Sequence, residues 1–274
     1  MTTEEAVLAL RDDPQFADLI RDAYLGPDAR GNAERFLASA EFHGVLGLLD
    51  RRVRDATVLD VGAGTGIASF AFARTGAKVV ALEPDPSGVV GQGAIHQVSD
   101  GLPIAIVAGV GEALPFPDEA FDVVYARQVL HHARDLDALV RECARVAAAG
   151  GLVIATREHV AEDEAELAAF LAAHPVHRLA GGEHAYPLAA YVRAFRRAGL
   201  GGPRILGPYD SIVNAFPAFH DELALRRHPT SLLEGRFGRL GRLSAAVPGI
   251  PALVRWWLTS RVPGRLYSFV GRKP

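Results

Sequence analysis

Nine residues constrain this chain more than any others: Val58-Leu59-Asp60-Val61-Gly62-Ala63-Gly64-Thr65-Gly66. Aliphatic side chains run into an acid, and glycine then falls at every second position. The apolar run predicts a short buried strand. The glycines let the chain turn sharply and leave no Cβ between backbone and ligand. The helical pattern that follows, Ile67-Ala68-Ser69-Phe70, aims its first amides at that ligand. Strand, loop and helix together predict a nucleotide-like ligand. The spacing Gly62-x-Gly64-x-Gly66 is not the G-x-G-x-x-G of a dinucleotide site, which leaves a nicotinamide enzyme as the weakest reading.

Around this stretch strands and helices alternate, which predicts a parallel α/β sheet covered by helices on both faces. Strands are expected at 57–61, 78–82, 104–107, 121–125, 151–156, near 203–206 and at 265–271. Helices are expected at 65–75, 86–98, 135–147 and 188–199. Residues 1–50 are helical in pattern, broken at Pro14 and at Gly26-Pro27, and are expected to form an N-terminal cap beside the ligand. Residues 51–274 then make one α/β domain, with a helical insertion at about 211–260. Tyr24 and Gly31-Asn32 are candidates to close over the ligand, with a plain core role as the alternative for Tyr24.

Composition enters through charge. The formal net charge of -3 gives no global pull toward nucleic acid. From Arg226 onward, however, nine arginines and Lys273 face the single acid Glu234, which leaves 19 basic and 31 acidic residues in the first 225. The arginines alternate with apolar residues and with Trp256-Trp257. The favoured reading is an amphipathic cap whose arginine stems cover apolar surface, in preference to a membrane-surface patch. Pro248, Gly249 and Pro251 interrupt it. The one cysteine, Cys143, excludes an intrachain disulfide and points to a reducing compartment. No secretory leader pattern is present at Met1-Thr2-Thr3-Glu4-Glu5, so the expected location is the cytoplasm.

The second strand ends Val79-Val80-Ala81-Leu82-Glu83-Pro84-Asp85, and an acid at that tip suits a ribose diol. At this point the chain resembles the class I S-adenosylmethionine-dependent methyltransferases. The likeness rests on Val58–Gly66, on Ala81–Asp85, and on Gly109 to Asp118 with Phe121-Asp122-Val123-Val124-Tyr125. It continues through Val129-Leu130-His131-His132, and through Arg141–Val146 with Gly150-Gly151-Leu152. The closing Leu266–Lys273 is also similar to the family's last strand. The resemblance implies a Rossmann-like seven-stranded sheet, mostly parallel, with its last strand antiparallel. It also implies S-adenosylmethionine as cofactor and S-adenosylhomocysteine as product. Carried over residue by residue, Gly62, Gly64 and Gly66 would wrap the cofactor, with Asp60 supporting the loop and its amino group. Glu83 and the adjoining Pro84 would hold the ribose, Val110, Gly111 and Glu112 would border the adenine, and Arg127 would lie beneath the sulfonium. Val110 departs from the pattern, since the family often has an acid there.

Histidine and glutamate gather after the fifth strand: Glu158-His159, His174-x2-His177 and Glu183-His184. Ligands bind at the carboxyl ends of strands in open α/β sheets, so Glu158 and His159 are placed to meet an acceptor. The candidate bases are His132, His159 and Glu158. No metal is assigned; His174, His177, Glu183 and His184 are the residues with ligand character, although Pro175 argues against a regular helical pair of histidines. The chain thus reads as an enzyme moving a methyl group to a small-molecule oxygen, nitrogen or carbon nucleophile, acting as a monomer or homodimer without nucleic acid. The alternatives are another S-adenosylmethionine-dependent reaction on the same fold, assisted by metal at the His/Glu cluster, and a cofactor-binding protein without catalysis.

Overall fold

A computed structural model describes residues 1–49, 53–247, 249–259 and 264–274. The expected boundary between residues 50 and 51, Pro248 and the end of the insertion at 260 lie outside them. Four helices come first: α1 (Thr3–Arg11), α2 (Ala17–Asp22), α3 (Ala29–Leu37) and α4 (Ala40–Leu48). Each of α1, α3 and α4 starts at a side chain that accepts an amide of its first turn, from Thr2, Asp28 and Ser39. The alternating section follows as β1 (Thr57–Val61), α5 (Ile67–Arg74), β2 (Lys78–Leu82), α6 (Gln92–Ser99), β3 (Ile104–Val107), β4 (Phe121–Arg127), α7 (Leu136–Val146) and β5 (Ala147–Val160). The chain ends with α8 (Glu164–Ala173), α9 (Pro175–Ala180), α10 (Leu188–Arg197), β6 (Gly201–Leu206), α11 (Ile212–Ala215), α12 (Glu222–Ala245), α13 (Ile250–Thr259) and β7 (Arg265–Arg272).

The seven strands form one sheet in the order β3-β2-β1-β4-β5-β7-β6, and β7 runs antiparallel to both β5 and β6. Alternation along the strands splits the core in two. Leu59, Val61, Val124 and Ala126 face α7 and α10, with Leu139, Val140, Tyr191 and Phe195. Val58, Val123 and Tyr125 face the other way, onto Phe36, Phe42, Phe70 and Phe72 of α3, α4 and α5. A series of edge-on and tilted aromatic contacts, Tyr24, Phe36, Phe42, Phe72, Tyr125, joins the first helices to the sheet with ring centroids 5.0 to 5.4 Å apart. So α3 and α4 share the sheet's own core, and Tyr24 is a core aromatic.

The helix expected at 86–98 starts only at Gln92. Asp85 and Ser87 take backbone amides into local turns, and the Gln92 amide bonds the Asp85 carbonyl at 2.8 Å. Pro175 opens a helix instead of preventing one: it occupies the first helical position, with His174 as cap accepting the His177 amide. The basic arm differs from expectation too. Leu240, Leu243 and Trp256 are 74%, 67% and 67% exposed, so arginine stems do not cover its apolar side chains. Among the described residues no helix is long and apolar enough to cross a membrane.

Candidate functional site

The carboxyl ends of β1, β4 and β5 open into a cavity of about 560 Å³. Asp60, Gly62, Gly64 and Thr65 form one wall, Arg127, His131, His132 and Arg157 the floor, and His159, His174 and Glu183 the far side; Thr3 and Val7 of α1 close it from above.

The glycine wall is held by two carboxylates. Asp60 is buried at the tip of β1 and accepts the Ser69 hydroxyl of α5 at 2.6 Å. Burial pushes its carboxyl up to about 7, against the opposing bonds from Ser69. Glu83 accepts the Gly64 amide at 2.7 Å through one oxygen and the Asp85 amide at 2.9 Å through the other. Burial raises it as well, opposed by those two amides. At Gly62 the torsion φ is 61°, and a Cβ would lie 2.8 Å from Val129. A side chain there is refused by both backbone and space. Amides, two carboxylates and an open backbone suit a cationic amino acid joined to a ribose. Pro84 follows Glu83 in the turn after β2. Beyond β3, Val110 is 51% exposed, Gly111 lies against Leu139, and Glu112 accepts the Arg134 amide at 2.9 Å.

Arg127 is already occupied. Its guanidinium bonds both oxygens of the fully buried Glu41 at 2.6 and 3.2 Å and lies over the rings of Tyr24 and Phe36. Arg157 approaches the same carboxylate at 3.8 Å and donates to the carbonyls of Val213 and Phe216 at 2.9 and 2.6 Å. Glu41 and Arg157 were not singled out from the sequence. The signal available for Glu41 was a lone acid in the apolar helix Ala40–Leu48.

The candidate bases separate by environment. Glu158 is fully buried, and protein donors fill its carboxylate: the amides of Val129 and His131, each at 3.1 Å, and His131 Nδ1 at 2.7 Å. It does not face the cavity. Burial opposes charge on His131, but Glu158 and Glu183 outweigh it and push the imidazole up to about 9. His159 Nδ1 lies 2.6 Å from the Gly264 carbonyl, so it carries the proton and Nε2 keeps a lone pair. Burial, then the charge of His131, hold His159 down to about 3. His132 is likewise lowered by burial and then by His131, and its Nδ1 faces the Gly182 carbonyl at 3.3 Å.

The four residues with ligand character do not converge. His174 Nδ1 stands 3.9 Å from Glu183, His177 Nδ1 is buried without a partner, and His184 packs edge-on to Tyr186. Among the described residues the ligand atoms that do converge, all within 4.8 Å of one another, belong to His131, His132 and Glu183. Only Glu183 belongs to the sequence-derived set.

The tip of β5 brings these groups together. Its pairing with β7 shifts register between Ala155 and Glu158, and Arg157 there adopts φ 59°. Such a bulge re-aims neighbouring side chains. Arg157 thereby reaches the α11 carbonyls, Glu158 the turn after β4, and His159 the carbonyl ahead of β7.

Comparison with known proteins agrees with this arrangement. The sequence pattern described as a methyltransferase domain matches residues 59–155. The chain is 32% identical over 136 residues to a ubiquinone biosynthesis O-methyltransferase of Rhizobium etli, covering 50% of this chain and 54% of that protein. It thus spans about half the length of the curated relatives it matches. In fold it is similar to phosphoethanolamine N-methyltransferase 2 of Haemonchus contortus in complex with S-adenosyl-L-methionine. The TM-score is 0.60 at 16% identity, with 100% of this chain and 60% of that one covered. The [4+2]-cyclase SpnF is similar at TM-score 0.52 and 24% identity, with 85% and 80% covered. The glycine loop, the acid at the tip of β2 and the sheet order agree with the matched pattern: residues 59–155 match a methyltransferase domain, set in a sheet of the class I S-adenosylmethionine-dependent methyltransferase type.

Proposed function

We propose that the protein transfers the methyl group of S-adenosylmethionine to a small-molecule acceptor, with S-adenosylhomocysteine as product. One observation carries the reading: the glycine wall and the imidazoles line the same cavity. Its volume lies within the range of small-molecule sites, roughly 300–1,000 Å³. That size favours a small acceptor over a nucleic acid. The relatives' O-methyltransferase name is in keeping with an oxygen nucleophile.

The cofactor supplies an already activated methyl group, so the chain's task is binding, alignment and exclusion of water. Gly62, Gly64 and Gly66 shape the cradle, Asp60 faces the cofactor's amino group, and Glu83 with Pro84 holds the ribose. Val110, Gly111 and Glu112 border the adenine. Arg127, neutralised by Glu41, adds no bare cation beneath the sulfonium. His159 orients the acceptor: its tautomer leaves Nε2 to accept a hydrogen bond from it, while an imidazole held down to about 3 is too weakly basic to keep the proton. His132 is the remaining candidate base. Glu158 orients His131 and does not act as the base. We place the enzyme in the cytoplasm, as a monomer or homodimer.

The test uses the full chain. S-adenosylmethionine and S-adenosylhomocysteine should bind with a calorimetric Kd that Glu83→Ala weakens, and NAD should not bind. Label from the methyl group should appear in a small-molecule fraction of an extract. A thermal shift with NAD and none with S-adenosylmethionine overturns the cofactor assignment. Binding without transfer to any fraction leaves a cofactor-binding protein instead.

A further inference from the structure

Three groups of the cavity meet in a way the methyl-donor site does not use. Glu183 Oε2 is buried and makes no hydrogen bond. His131 Nε2 lies 3.4 Å from it and His132 Nε2 lies 3.6 Å from it. Both imidazoles have their other nitrogen committed. His131 Nδ1 donates to Glu158 at 2.7 Å, and His132 Nδ1 donates to the Gly182 carbonyl at 3.3 Å. With both imidazoles neutral, the lone pairs of the two Nε2 atoms converge on a carboxylate oxygen. A carboxylate behind a histidine is the usual support of a metal-bound imidazole, because it fixes the ring and its tautomer. Metal bonds of about 2.0–2.1 Å to nitrogen and oxygen place neighbouring tetrahedral ligands about 3.4 Å apart. The two separations from Glu183, 3.4 and 3.6 Å, match that spacing, and all three ligand atoms lie within 4.8 Å of one another.

We infer that His131 Nε2, His132 Nε2 and the Glu183 carboxylate form a site for a divalent transition-metal ion. Two imidazoles and one carboxylate suit Zn²⁺, Fe²⁺ or Co²⁺ better than Mg²⁺ or Ca²⁺, which favour all-oxygen sets. Each ligand comes from a different commitment of the fold. His131 is fixed by Glu158 at the tip of β5, and His132 follows it in the turn after β4. Glu183 arrives from the segment after α9, where Gly181 and Gly182 take left-handed torsions, φ 71° and 85°. A proton on His131 satisfies one approach to Glu183 and leaves His132 facing the same oxygen; a metal ion satisfies both. All three residues line the cavity, so the ion's remaining positions open toward the acceptor and His159. Three protein ligands with a position left open is the form of a catalytic metal centre. The ion would there hold an oxygen-bearing acceptor beside the methyl donor.

The experiment needs neither cofactor nor acceptor, so its failure is separate from failure of the methyl-transfer reading. The full chain is stripped with a chelator and titrated with Co²⁺ alone, followed by visible absorption and calorimetry. One equivalent should bind with a low-coordinate Co²⁺ spectrum. His132→Ala and Glu183→Gln, both at the cavity edge, should each weaken binding by more than about 100-fold, while Glu158→Gln, one shell further out, should cost about 10–100-fold. The exposed His96→Ala should change nothing, and an unaltered melting curve shows that the variants are folded. Absence of saturable binding by the wild-type chain overturns the site. Stoichiometric binding that survives both His132→Ala and Glu183→Gln overturns it as well.

Discussion

The two ends of the cavity are built by different means. The end we propose for the methyl donor is made of one short stretch of chain, from Asp60 to Asp85, and of backbone: glycine torsions, amides and two carboxylates that hold them. The acceptor end is made of side chains from distant places, the turn after β4, the tip of β5, the segment after α9 and the start of β7. Local geometry fixes the first, whereas tertiary packing and buried charge fix the second. One end is therefore local and built of backbone, and the other is dense, titratable and assembled from distant residues.

The largest effect should come where the acceptor end rests on a buried charge. Glu158→Ala leaves His131 and two amides unpartnered, which costs about 3–5 kcal/mol. The melting temperature should fall by roughly 6–20 °C, with any bound cofactor affinity following only through stability. A drop below about 2 °C by calorimetry breaks the comparison. Next, His159→Ala should lower turnover of the labelled-methyl assay roughly hundredfold through lost alignment of the acceptor, while the Kd for S-adenosylmethionine stays within about twofold. Loss of cofactor affinity instead would show that the two ends are not separable. At the donor end Glu83→Ala should weaken cofactor binding by about 10–30-fold, the loss of a charge-assisted bond of roughly 1.5–2 kcal/mol, and leave the acceptor's KM unchanged.

A smaller effect sharpens the donor end by pH. Asp60 titrates near 7 in the folded chain, far above its value when unfolded. The folded state therefore holds the extra proton between about pH 4 and 7, and Asp60's contribution to stability falls as pH rises through that window. Binding of a cationic amino group needs the carboxylate. Cofactor affinity should thus weaken, by at most tenfold per unit, as pH drops below about 7, and Asp60→Asn should flatten that slope. A pH-independent wild-type Kd between 6 and 8 counts against the pairing. Smallest of all, Arg197→Ala removes an exposed bridge to Asp137 between α10 and α7. It should cost under about 1 kcal/mol in denaturant melts.

The same division governs how far the sequence could be read. Strands β1, β2 and β3 fall on their expected residues, because apolar runs bounded by turn residues are local signals. Glu83 was recognisable from its place after a strand. The acceptor end was visible as a density of histidine and glutamate, but not its geometry. Nothing in the sequence marks His131 as the partner of Glu158, or shows that the oxygens of Glu158, a candidate base by its position, are filled by protein donors. Pairings 27 residues apart carry no mark of periodicity. Helix α9 is hidden for a related reason, since a histidine-rich segment reads as loop when its cap and first helical proline are not recognised.

The irregular tip of β5 bears on how this chain can be rebuilt. Three consecutive residues there, Arg157, Glu158 and His159, each fasten a different loop. Those loops are not interchangeable parts. A chimera that imports an acceptor end from a relative must import the fasteners with it, so its splice belongs at Thr156, before the bulge, and not at Val160, after it. Cut at the later point, the new loops would meet side chains aimed for the old ones.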